Sequence, residues 1–196
     1  MGLVRLGVGS GPTAGAVVVS EPSKALGWGL RMHLATSSLP VADVVATRVL
    51  LESQAAAHAA AHWAGSRDEI VVEEAAGLLE RLKDPRLPDP EFHEIDARFH
   101  LVISTLGGNI VVGTILDSLR QATIGYVREG VRNLEDWAGM RVELNRQHQR
   151  ILEAVRTHQP EEAAEAVRHH IRWFHTCAFS ASHPSGDAPS GDASER

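Results

Sequence analysis

From about Ser23 to Ser180, apolar residues return every three or four positions, in blocks separated by glycine and proline. That period suits helices and leaves no place for a sheet core. PVADVVATRVLLESQAAAHAAAHWA reads as one long alanine-rich helix, with Asp43 near its start and Gly65 at its end. A shorter helix is expected before it, over residues 23–35. Ser66, with Glu69 three residues on, has the pattern of a capping box for a helix running to about residue 83. DPRLPDP is a proline-punctuated loop, after which Asp89 is expected to cap a helix over 90–106, closed by Gly107 and Gly108. Three more helices are expected at about 109–131, 134–157 and 160–180. Six to seven helices with short connections predict an all-α antiparallel bundle.

The two ends differ from this middle. In the first 22 residues, LVRL and AVVVS flank the glycine-rich GVGSGPTAG, a short β-hairpin pattern closed by Pro22. A lone hairpin of that size is marginal in water, so it is expected to belong to something larger. The last stretch, HPSGDAPSGDASER, repeats PSGDA with almost no apolar content and is expected to be disordered over 181–196. The chain therefore divides into a hairpin and linker at 1–22, a helical domain at 23–180 and a tail. A net charge of −6 leaves no basic footprint for nucleic acid. One cysteine, Cys177, excludes an internal disulfide framework and fits a reducing, cytoplasmic setting. No apolar run is long enough to suggest a membrane span, and no signal peptide is visible.

Eleven histidines raise the question of metal. Phe92, Asp96, Phe99, Ile103 and Leu106 share one helical stripe, with His100 one turn beyond Asp96. His148 lies on the apolar face of the next helix but one, with Leu144, Ile151 and Val155. His170 lies on that of the last, with Val167 and Phe174. Burying such groups costs several kcal/mol, of the order of 2–7, unless something satisfies them. A divalent metal shared by Asp96, His100, His148 and His170 would satisfy all four, and zinc, nickel, manganese or iron would each suit the donor set. The plainer reading of any one of them is a hydrogen-bonded core histidine. His93 could substitute for a neighbour. His58 and His62 have ligand spacing but no acidic partner nearby, and His33, His158, His169, His175 and His183 look like surface or packing residues.

In order, ATRVLLESQAAAHAA, DARFHLVISTLGGN and RQHQRILEAVRTHQPEEAAEAVRHHI resemble the C-terminal effector-binding domain of the FadR subfamily of GntR transcription regulators. The residues that carry the likeness are Arg48 and Glu52, Asp96 and His100, Gly108 and Asn109, His148, and His170 with Ile171, over about residues 23–180. The resemblance implies a helical bundle holding a divalent metal on Asp96, His100, His148 and His170, beside a pocket for a small organic acid. Two positions depart from the pattern: Gln147 stands where glutamate is usual, and His58 where leucine is. VRLGVGSGPTAGAVVVSEP resembles the wing of a winged helix-turn-helix whose recognition helix would precede it. Operator DNA would then be met only through a helix-turn-helix outside this chain, by a homodimer.

Arg48 could grip an effector carboxylate with its fork or simply pair with Glu52 one turn on. Tyr126 and Asn145 are further candidates for effector contact, while Arg128 and Arg132 fit an exposed surface better. Trp63, Trp137 and Trp173 read as packing or dimer-surface residues. The expected function is ligand sensing, not enzymatic catalysis. A bundle metalloenzyme with a metal-activated water is the alternative, but it lacks a general base, since Glu94 and Glu143 are expected to face solvent. A third possibility is a purely structural module with satisfied core histidines.

Overall fold

The computed structural model describes residues 4–7, 15–18, 32–33, 36, 40–132 and 134–179. Most of them lie in six helices: α1 (Val41–His62), α2 (Gly65–Leu82), α3 (Asp89–Leu106), α4 (Ile110–Val131), α5 (Trp137–Arg156) and α6 (Pro160–Phe179). Two short strands, β1 (Val4–Gly7) and β2 (Gly15–Val18), pair antiparallel with Val4 opposite Val18. Apart from Met32 and His33, which are helical, the helix expected over 23–35 lies outside the described residues, as does the tail at 181–196.

Alanine puts α1 in the middle. Ala55, Ala56, Ala59 and Ala60 are buried on one side of it, and Ala163, Ala164 and Ala166 are buried on α6. Small side chains let two helices approach closely, and α1 packs mainly on α6 while also meeting α3, α4 and α5. The helix pairs α2–α3, α3–α4 and α5–α6 close the bundle around Phe92, Phe99, Ile151, Leu152, Val155 and Val167. Where α3 ends, a Cβ on Gly107 would lie 2.9 Å from the Ala55 carbonyl oxygen, so only glycine lets this turn rest on α1. Gly108 then takes a φ of +70°, reversing the chain into α4.

Local chemistry moved several boundaries. The Ser66–Glu69 box does not form: α2 begins at Gly65, and the Ala64 N–H donates to Asp68 Oδ2 at 3.0 Å. Asp89 lies inside the first turn of α3 behind Pro88, and its carboxylate accepts from Trp137 Nε1 instead of capping. Asn109 caps α4 through the N–H groups of Val111 and Val112. Asp136 caps α5, which starts three residues after the expected position.

Candidate metal centre

Three helices deliver four ligand atoms to one point. Asp96 and His100 come from α3, His148 from α5 and His170 from α6, and one donor atom of each lies within 4.8 Å of all the others. His100 Nε2 is 3.1 Å from His170 Nε2 and 3.3 Å from His148 Nε2, while His148 Nε2 is 3.1 Å from Asp96 Oδ1. The three rings are buried, and Phe99 packs against two of them.

What lies behind the rings decides what they can do. His100 Nδ1 is 2.9 Å from Glu52 Oε2, and Glu52 in turn accepts from Arg48 Nε at 2.7 Å. Arg48 Nη1 donates to the Tyr126 hydroxyl at 2.7 Å, completing a buried chain from α4 through α1 to the ring. His170 Nδ1 is 3.0 Å from Gln147 Oε1, whose amide nitrogen donates to Glu143. Both acceptors demand a proton on Nδ1, so both Nε2 atoms are left with lone pairs. With both rings neutral, these two Nε2 acceptors, 3.1 Å apart, have no proton to share. A cation between them removes the conflict, and ligating histidines held through Nδ1 by a carboxylate or amide are the usual second layer of such a centre. His148 Nδ1 is buried and meets no partner.

Electrostatics agree with neutral His148 and His170 rings beside an ionised carboxylate. Burial, and then the fields of His148 and His100, push the His170 imidazole well below its ordinary value. Burial likewise lowers His148. For Asp96, burial acts upward, but the His148 hydrogen bond and the three ring fields outweigh it and hold the carboxyl below its usual range. Glu52 is also buried, yet Arg48 and His100 bring it down to about 2. The donor set is therefore three imidazole nitrogens and one carboxylate oxygen, which fits a divalent transition metal.

The other candidate residues fall into two groups. Arg48 forms the ion pair with Glu52, and it also lines the cavity beside Asp96 and His170, with Phe92, His93 and Trp137. This cavity and a second one beside Glu52 and His100 each measure about 20 Å³, room for about one water and far too little for an organic acid. Tyr126 is buried behind Arg48. Asn145 is not on either wall: its Nδ2 donates to the Leu82 carbonyl at 2.9 Å, because it sits about 100° round α5 from the cavity-lining Leu144. His93 packs against Phe92 and Trp137. His58 and His62 stack on each other on the exposed side of α1, with ring centres 4.0 Å apart. Arg128 and Arg132 are exposed, as expected. A roomier groove of about 630 Å³, lined by Leu51, His58, Gly107 and Val111 among others, contains none of the four ligands.

Glu52 and Gln147 stand behind the rings at positions the family resemblance had singled out, and only Glu143 was not expected there. Glu143 is not simply solvent-facing, since it is bonded to Gln147 behind His170. For Glu143 the available signal was its spacing with Gln147, a single helical turn.

The family model of the FCD domain matches residues 43–172, which span all four ligands and both acids behind them. The chain belongs to this family. A relative, the Glc operon transcriptional activator of Escherichia coli strain K12, is 31% identical over 147 residues, 72% of this chain and 56% of the activator. The same activator from a second Escherichia coli strain matches equally well. The chain thus spans little more than half the length of the curated relatives it matches. Among solved structures, Streptococcus agalactiae GntR aligns over 93% of this chain and 76% of its own, with a TM-score of 0.63 and 19% identity. That likeness speaks to the FCD fold alone.

Proposed function

We propose that this FCD domain is the sensing half of a GntR-type transcription regulator. A divalent metal sits on Asp96, His100, His148 and His170, and a small carboxylate effector binds beside it. The observation that carries the reading is the pair of acceptors, Glu52 and Gln147, set against Nδ1 of His100 and His170, which leaves both Nε2 atoms converging on one point. A bound cation would supply positive charge for an effector carboxylate. Arg48 lines the cavity beside Asp96 and His170, with Tyr126 behind it, and is already committed to Glu52.

The cavity beside Asp96 and His170 is too small for an organic acid as it stands. Effector entry therefore requires the helices around it to separate, and a ligand that binds only the opened arrangement shifts the population toward it. The β1–β2 pair is read as the wing of a winged helix-turn-helix. Operator binding then belongs to that winged helix-turn-helix, working in a two-fold homodimer in the cytoplasm. Among the described residues no helix is long and apolar enough to cross a membrane. The metalloenzyme alternative gives way. Both curated relatives are transcriptional activators. The two acids behind the rings, Glu52 and Glu143, are tied up by Arg48 and by Arg146 with Gln147.

The test is a melting-temperature screen of small mono-, di- and tricarboxylates, run with zinc, nickel or manganese and again after chelation. The reading expects at least one acid to raise the melting temperature by several degrees in the metal-loaded protein only. An acid that stabilises equally after chelation would remove the metal from the sensing mechanism.

A further inference from the structure

His170 is the ligand whose orientation is fixed from the protein surface. Its Nδ1 meets Gln147 Oε1 at 3.0 Å, and Gln147 Nε2 meets Glu143 Oε1 at 2.7 Å. An amide side chain can stand either way round, and its neighbours decide which end is oxygen. An ionised carboxylate offers acceptors only. Glu143 therefore draws the NH₂ end of Gln147 to itself and turns the oxygen toward His170. That oxygen accepts, so Nδ1 of His170 carries the proton and Nε2 keeps its lone pair for the centre. Arg146, 2.6 Å away, holds the carboxylate in place.

We infer that Glu143 is a positioning residue of the metal centre, which sets the tautomer of His170 through Gln147 and thereby the affinity for metal. The inference rests on the metal reading above. It also explains how the centre works with glutamine at 147. On the opposite side, Glu52 places a charge directly against His100. Here the charge stands one residue further out, on a side chain still 32% exposed, and is relayed by a neutral amide. The plainer account, a helix-surface pair one turn apart that steadies α5, predicts no effect on the ring's tautomer.

The experiment compares the wild type, Glu143→Gln and the swap Glu143→Gln/Gln147→Glu. Two quantities are read: the ¹⁵N spectrum of the His170 ring in metal-free protein, and zinc affinity by competition with a chelating dye. Glu143→Gln lets the Gln147 amide turn over. His170 should then populate its Nε2–H tautomer, and zinc affinity should fall about tenfold. The swap puts a carboxylate directly on Nδ1 and should restore both the tautomer and the affinity, which a merely structural role would not predict. If Glu143→Gln keeps the wild-type tautomer and the wild-type affinity, the positioning role is overturned while the metal reading stands. If the wild type takes up no zinc, the metal reading fails and this inference fails with it.

Discussion

Two groups of histidines in this chain pack ring against ring, and only one of them has the surroundings of a metal centre. His58 and His62 stack with ring centres 4.0 Å apart; His148 and His170 stand 4.5 Å apart. The difference lies behind the rings. On the surface, His62 Nδ1 bonds the His58 carbonyl of its own helix, and water can serve whatever remains. In the core, Glu52 and Gln147 dictate which nitrogen of His100 and His170 holds the proton, and burial disfavours the charged forms of His148 and His170. Proximity of imidazoles alone makes no metal centre. Desolvation together with an enforced tautomer leaves lone pairs that need a cation.

Removing the core group gives the largest effect expected. Elemental analysis by mass spectrometry should find about one divalent ion per chain in the wild type and essentially none in His148→Ala/His170→Ala. Equal metal content in both would break the contrast outright. Next comes the support of that group. Glu52→Ala leaves the buried Arg48 guanidinium without its charge partner, and urea unfolding should show a loss of about 3–5 kcal/mol. A loss below about 1 kcal/mol would mean that Arg48 reaches water easily.

Acidity sharpens the comparison more gently. His148 and His170 resist protonation when folded, so below their unfolded value of 6.5 the unfolded chain binds more protons than the native one. Stability from these two groups is complete above that value and is lost as pH falls below it. The metal-free protein should show a urea midpoint that drops steadily from pH 7 to pH 5. A flat profile would place both rings in contact with solvent. The smallest effect belongs to the surface pair: His58→Ala/His62→Ala should keep the tightly bound ion and change stability by no more than about 0.5 kcal/mol. Loss of that ion would reverse the assignment of the two groups.

Much of this was legible along the chain. The period of the apolar residues and the glycine–proline breaks announced a helical bundle, and the helices lie within a few residues of their expected limits. Asp96, His100, His148 and His170 could be picked out because each interrupts an apolar stripe, and the fold brings them together. The misplaced helix starts at Ser66, Asp89 and Leu134 share a cause: capping is decided by which side chain reaches a free N–H, and Asp68 and Asp136 reach where other residues do not. Asn145 misled because neighbouring residues on a helix face different directions, and its amide found the Leu82 carbonyl of another helix.

The sequence by itself determined the class of fold, the helices that carry the four candidate ligands and which residues those candidates are, because helical period and residue chemistry are local properties. Only the tertiary structure decided the rest. It brought Glu52 of α1 to His100 of α3, and Gln147 of α5 to His170 of α6. It put Tyr126 behind Arg48 and left His58 and His62 on the surface. Those pairings are set by how close the helices can pack, which here follows from alanines facing one another between α1 and α6, and no spacing within a single helix encodes it.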